Sequence, residues 1–434
     1  MFDYADTCLV SPAVLQEIST KLHAYTQEIQ QTLNASERYA TEYAVLDLPY
    51  DLELLGCVEK LADNIKELNP KMVIVVGIGG SNLGTAALYQ ALYGVYYNEL
   101  TQDAKLYFAD TIDNTMLESL LTLVEQELRR NNTVILILVT KSGTTTETLV
   151  NSAFFIELLK KYNPRYQESV VVITDNGSPL YAVAQQECYH VLTIPKLVGG
   201  RYSVFSAVGL FPLALVGVPI SDLLAGARVA LDAYFNGTNN DPALSAAIIY
   251  THFKAGKNIH DTFLFSPQLY MLGSWYRQLV GESLGKKYSR DGQIIETGIT
   301  PTVSIGTTDL HSVAQLYLGG PRDKITSFVE IAYEPGELYV ADSAIASLVP
   351  TLAGKTVSSV KKAIFEGVEQ AYVTERRPFV TIRLPECTAY VLGHFMMFKI
   401  CETLFLGHLL GVNVFDQPAV ELYKENTRKI LSGA

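Results

Sequence analysis

Hydrophobic residues along this chain change their spacing twice. Near the start, Leu15, Ile18, Leu22, Tyr25 and Ile29 fall at helical intervals within SPAVLQEISTKLHAYTQEIQQTL. Apolar residues three and four apart share one helix face, so the pattern predicts a helical arm over residues 1–48, packed on the body. From Lys71 the spacing becomes short runs of Val, Ile and Leu without polar alternation: MVIVVGIGG, TVILILVTKSG, SVVVITDN and YHVLTIP. A strand that is apolar at every position is covered on both faces, as in a parallel sheet. Helical patterns separate most of these runs, which predicts a doubly wound α/β unit over residues 49–235. The polar stretch NGTNNDPAL, residues 236–244, reads as a junction. Beyond it, DTFLFSP, SFVEIAY and PFVTIRL supply strands around the helical QLYMLGSWYRQLVGESLGKK, giving a second α/β unit over 236–414. A loop, NVFDQP, and a helical AVELYKENTRKIL close the chain as a tail over 415–434. Both halves run strand, Ser/Thr/Gly-rich turn, helix, a faint internal echo.

Composition narrows the class without changing that outline. At 434 residues, 48% hydrophobic and 18% charged, the chain is long enough for two domains and apolar enough to fill their cores. The net charge of -12 is diffuse. Nucleic acid calls for clustered Lys and Arg, so it is not expected as a partner, whereas a small anion in a local basic pocket remains open. The five cysteines, Cys8, Cys57, Cys188, Cys387 and Cys401, are odd in number and form no CxxC pair, which fits free thiols in a reducing cytosol. MFDYADTCLV lacks the basic and apolar regions of a signal peptide, and no uninterrupted apolar run reaches membrane-spanning length. The expected location is cytoplasmic, with no membrane partner.

Chemistry concentrates first at KMVIVVGIGGSNLGTAALYQAL, where a strand runs into Gly77, Gly79, Gly80 and Ser81. Ligands of open parallel sheets bind beyond the carboxyl ends of the strands. A nucleoside triphosphate loop needs Lys after its last glycine. Gly79 and Gly84 have that spacing, but Thr85 stands in the Lys position. A dinucleotide loop needs a third glycine at 82, which is Asn82, and neither Asp103 nor Asp110 ends an obvious second strand. The same glycines would also serve close strand–helix packing alone.

The second loop, VTKSGTTTETL, follows another buried strand and packs Thr140, Lys141, Ser142, Thr144, Thr145 and Thr146 together. Thr144 and Glu147 have capping-box spacing, which predicts a helix start near Thr145. Hydroxyls and backbone N–H groups at a helix N-terminus suit an anion. So many polar residues exceed what capping requires, and a phosphomonoester without a nucleoside fits them best.

Taken in order, GIGGSNLG, TKSGTTTETL, VGGRYSVFSAVG, GESLGKK, GTTDLHS and FDQPAVELYK resemble the motifs of glucose-6-phosphate isomerases. They run from Gly77 to Lys424 and so span most of the chain. The resemblance implies two doubly wound sugar isomerase (SIS) domains and aldose–ketose isomerisation of a hexose 6-phosphate without cofactor or metal. It implies Glu282 as the base that moves a proton between adjacent carbons, and Arg201 as the cation beside the enediolate. His311 and Lys424 would open the sugar ring. Gly80 and Ser81 would line the sugar site, Thr140, Lys141, Ser142 and Thr145 would hold the phosphate, and Gln417 would contact substrate. It also implies a homodimer in which the histidine enters the partner's site.

The residues themselves suit these roles. Glu282 follows the apolar WYRQLV, where burial would favour a base. Two glycines before Arg201 permit close backbone approach to a ligand. Leu284 stands where the family usually has Asn, Leu310 where Gln is common, Lys196 at an acidic or small polar position, and Thr140 for a usual Ser. None of these removes a catalytic group. Other readings are isomerisation of mannose 6-phosphate, a sugar-phosphate sensor and a nicotinamide dehydrogenase. A sensor would need only the phosphate loops, not Glu282, Arg201, His311 and Lys424 together.

Overall fold

A computed structural model describes residues 2–236 and 240–433. The centre of the expected junction, residues 237–239, lies outside them. The strands are β1 (Phe2–Asp3), β2 (Pro70–Val76), β3 (Lys105–Ala109), β4 (Thr133–Val139), β5 (Val170–Asp175), β6 (His190–Ile194), β7 (Ile259–Leu264), β8 (Lys286–Tyr288), β9 (Ile294–Thr297), β10 (Thr300–Ile305), β11 (Lys324–Ile331) and β12 (Phe379–Leu384). One sheet runs β3-β2-β4-β5-β6, all parallel. The other runs β1-β12-β11-β7-β10, parallel except for β1. β8 and β9 form a separate hairpin. The faint echo is therefore topological: β10-β7-β11-β12 repeats the order β3-β2-β4-β5. From β2 the chain turns to β3 on one side and returns to β4 on the other, so the loops after β2 and β4 flank a switch point, where such sheets bind ligands.

Period-two alternation explains the uninterrupted apolar runs. Val73, Val75, Ile135, Ile137, Val171 and Ile173 face a large inner core that also takes Leu264, Ile325, Val329 and Val380 from the second sheet. Their neighbours Ile74, Val76, Leu136, Leu138 and Val172 face outward, under the helices Asn114–Arg129 and Thr146–Tyr162. Outside the second sheet lies an aromatic layer of Phe263, Phe265, Phe328, Phe365, Tyr372 and Phe379.

The arm is partly as expected. Helix Pro12–Ala35 buries Leu15, Ile18, Leu22, Tyr25 and Ile29. The chain begins, however, with a strand: Phe2 and Asp3 pair antiparallel with Ile382 and Thr381. The sequence reading also missed β3. Asp110 does follow a strand directly; this edge strand mixes buried and half-buried positions and lacks the continuous apolar run of its neighbours. β10, likewise at an edge, opens with Thr-Pro, and an edge tolerates the missing Pro N–H.

One helix among the described residues, Ala389–Leu410, is long and apolar enough to cross a membrane by length and composition alone. It lies buried in the core and carries the fully buried pair Lys399–Glu402, joined at 3.1 Å.

Candidate active site

Two glycine segments meet back to back. Gly79, at φ +59°, opens a 3-10 turn over Gly79–Ser81. A Cβ on Gly80 would sit 2.1 Å from the Gly200 carbonyl carbon and 2.5 Å from Arg201 N. Only glycine permits that approach. Ser203 Oγ donates to Gly200 O at 2.7 Å and reaches Gly80 O at 3.2 Å, tying the two turns together. Ser81 is half-buried on this turn.

The neighbouring loop follows β4. Thr140 is buried, and its hydroxyl lies 2.7 Å from that of Thr145. Lys141 is half-buried; burial pushes its pKa down, and Asp175 pulls it partly back. Ser142 Oγ accepts from the backbone N–H and the hydroxyl of Thr144, at 3.3 and 3.2 Å. The expected capping box does not form. Helix Thr146–Tyr162 starts after Thr145 with no side-chain cap, because Thr144 bonds back to Ser142 and Thr145 to Thr140. No side chain therefore caps its first N–H groups, beside a cationic Lys141, which is the arrangement an anion needs.

The Arg201 guanidinium sits within the 3-10 turn Gly200–Phe205, with its side chain 1% exposed. Nε donates to Ser283 Oγ at 2.7 Å. Nη1 donates to Gln417 Oε1 at 2.7 Å and to Glu282 Oε2 at 3.3 Å. Nη2 donates to Val414 O and, at 3.1 Å, to Asp416 O. Glu282 lies in the last turn of helix Tyr270–Leu284 and keeps 31% of its side chain open, so the burial expected from WYRQLV is only partial. Gln278, one turn earlier, donates to Glu282 Oε1 at 3.0 Å, and a Cβ on Gly79 would lie 2.8 Å from its amide nitrogen. The first loop thus adjoins the carboxylate through Gln278.

The structure brings together Gly80, Arg201, Glu282 and Gln417. His311 and Lys424 stand outside that hydrogen-bonded group among the described residues. Lys424 pairs with Glu421 at 2.7 Å on the exposed helix Glu421–Leu431. His311 is exposed in the turn after β10, and its neighbour Leu310 packs on the outer aromatic layer. Gly281, beside Glu282, lies against Pro301 near the start of β10, while His311 follows its far end. Six strand residues span roughly 17 Å, and the helix bearing Glu282 covers the opposite face of the sheet.

Sequence reasoning missed Gln278, Ser283, Tyr202 and Lys286. The signal for Gln278 was its position four residues before Glu282, on the same helix face. Ser283 accepts from Arg201 and shares a 2.8 Å hydrogen bond with Tyr202 OH, and the signal for Lys286 was again its spacing, four residues after Glu282 within GESLGKK. The departures have plain places. Leu284 is buried against Gly407, Leu310 joins the aromatic layer and Lys196 is exposed.

Paired parallel sheets, an uncapped helix N-terminus at a switch point and an arginine–carboxylate pair beside it define a class, the two-sheet phosphosugar isomerases. The chain belongs to the phosphoglucose isomerase family, whose model matches residues 63–433. The glucose-6-phosphate isomerase of Carboxydothermus hydrogenoformans is 36% identical over 401 residues, covering 90% of this chain and 85% of that protein. The crystal structure of a hypothetical protein from Thermus thermophilus matches with a TM-score of 0.86 at 30% identity, over 99% of both chains. A glucose-6-phosphate isomerase from Chlamydia trachomatis matches with a TM-score of 0.73 at 23% identity, over 86% of this chain and 72% of that one, a likeness of fold.

Proposed function

We propose that the protein interconverts glucose 6-phosphate and fructose 6-phosphate, with Glu282 as the base. The observation that carries this reading is the Arg201–Glu282 pair at 3.3 Å beside the loops of the switch point. The phosphate takes the uncapped helix start with Thr140, Lys141, Ser142 and Thr145, and Gly80 and Ser81 line the sugar. Holding the far end of the substrate orients the reacting carbons. Glu282 removes the proton from C2 of the open-chain aldose and returns it to C1 through an enediolate. Arg201 places fixed positive charge beside the oxyanion that develops. All of its N–H groups already have partners, so an oxyanion at Nη1 would exchange with Gln417. In a coupled assay, Glu282→Gln should lose turnover by about 100-fold or more. Near wild-type turnover would show that the base is misassigned, and a panel of hexose 6-phosphates, mannose 6-phosphate included, tests the substrate.

His311 completes the site from a second copy, in a homodimer. In support, His311 and Glu282 lie toward opposite ends of β10. The carboxyl edge of the same sheet also exposes Tyr333, Leu338, Ile345 and Leu348 in the segment that follows β11. An apolar group of that kind calls for a covering partner. Glu282→Gln and His311→Ala subunits, each inactive alone, should regain about a quarter of wild-type activity when re-assembled together, since one site in each mixed dimer is whole. No recovery would mean that each subunit uses its own histidine. Lys424 joins ring opening from the tail helix.

Two α/β domains, 49–235 and 236–414, are the units we assign, with the arm and tail outside them. Their common inner core predicts that neither half, expressed alone, is soluble; a stable half would redraw the division. A cytoplasmic location accords with the free cysteines and is checked by cell fractionation.

A further inference from the structure

We infer that Lys286 is a positioning residue, which holds the carboxyl-terminal segment in register with Glu282. The inference rests on Glu282 being the base. The Lys286 side chain is 6% exposed, and its ammonium donates to Glu282 O at 3.0 Å, to Asp416 Oδ1 at 2.8 Å and to Asp416 O. All three donors of the ammonium are used. Glu282 O is one of the last carbonyls of its helix, which lack partners within the helix, so Lys286 caps the turn that carries the base. Its own backbone is fixed by the hairpin, where Lys286 pairs with Thr297.

The other end of this clamp matters as much. Asp416 precedes Gln417, and Arg201 bonds Val414 O, Asp416 O and Gln417. Residues 414–417 are thus held from the first sheet's side by Arg201 and from the second's by Lys286. The turn Pro418–Val420 and helix Glu421–Leu431, with Lys424, start from that anchor. Arg201 holds the backbone of this segment. Lys286 ties it to the main chain of the turn of Glu282, beside the side-chain bridges through Arg201 and Tyr202, so it helps set the distance between the base and everything the tail contributes.

The charged groups facing Lys286 are Asp416, Glu282 and Arg201. Burial lowers the Lys286 pKa, opposed first by Asp416. The clamp should therefore lose its charge at a lower pH than an ordinary lysine, and kcat should fall with it. Arginine at this position keeps its charge.

The test compares wild type, Lys286→Met, Lys286→Arg and Asp416→Asn. Methionine fills the space without charge, and an apolar group in place of a buried ion is often neutral for stability. The Met variant should lose kcat by about 10- to 100-fold with KM changed by less than about threefold. The Arg variant should recover part of kcat and shift its alkaline fall to higher pH. Asp416→Asn should fall between, and serves if the Met variant does not fold. Hydrogen exchange of residues 414–424 should quicken in the Met and Asn variants, whatever the substrate proves to be. Wild-type kcat and unchanged exchange in the Met variant would overturn the inference, as would a loss that arginine does not restore. Loss of the Glu282 assignment would show separately, as an active Glu282→Gln.

Discussion

Arg201 donates to Gln417 at 2.7 Å across 216 residues of chain. The same guanidinium reaches Ser283, Glu282, Val414 and Asp416, so it joins three distant motifs at one point. A planar fork with five donors does this, and an ammonium does not. Arg201→Lys should therefore leave buried carbonyls unpaired, at about 1–3 kcal/mol each. It should also lower kcat by about 100-fold or more through loss of the fixed charge. Thermal unfolding and the coupled assay read the two effects; a lysine variant with wild-type kcat would refute the role.

Gly80 and Gly56 make opposite predictions for the same change. Alanine at Gly80 puts a carbon 2.1 Å from the Gly200 carbonyl, so the segment bearing Arg201 must move. The expected loss is about 1–3 kcal/mol of stability together with most of the activity. Around Gly56, exposed on helix Leu52–Lys66, nothing lies within 4 Å. Alanine there should raise stability by about 0.4–1 kcal/mol and leave activity unchanged. Denaturant melts of both variants decide, and a harmless Gly80→Ala would contradict the packing described.

Lys141 gives a pH signature in binding. Burial lowers its pKa, so the ammonium is lost at a lower pH than that of a free lysine. With the phosphate assigned to this loop, KM should rise as pH climbs through that lowered pKa, while kcat is affected less. Lys141→Arg should flatten the rise. A KM that is flat to high pH in the wild type would separate Lys141 from phosphate binding.

His260 gives a signature in stability. It is fully buried, with Nε2 2.8 Å from Ser327 Oγ. Burial, aided by Lys399, pushes its pKa down from 6.5 to about 4. The unfolded chain then binds more protons between those values, so stability falls as pH drops from 6.5 to about 4. The full shift corresponds to about 3 kcal/mol. Urea unfolding at neutral and acid pH measures the slope, and His260→Asn should remove this part of it. An unchanged slope in the variant would assign the acid sensitivity elsewhere.

What the sequence determined by itself was local. Runs of Val and Ile marked β2, β4 and β5 because strands covered on both faces need no polar position, and the shorter VLTI marked β6 although it lies at an edge with Thr193 exposed. Helical spacing marked Leu15 to Ile29 because a single helix face was to be buried. The glycine and hydroxyl loops showed their chemistry because their residues adjoin in the chain, and the motif order gave the family. Edge strands β3 and β10 were hidden because half-exposed strands carry no continuous apolar run. Thr144 and Glu147 had the spacing of a cap, yet Ser142 took the Thr144 hydroxyl, a choice between nearby partners that spacing does not settle. Tertiary structure alone decided that Gly80 rests on Gly200, that Arg201 grips residues 414–417, that Lys286 ties Asp416 to the turn of Glu282, and that His311 stands outside that hydrogen-bonded group. Those relations depend on which segments the two sheets and their common core bring together, and no single stretch of the chain contains them.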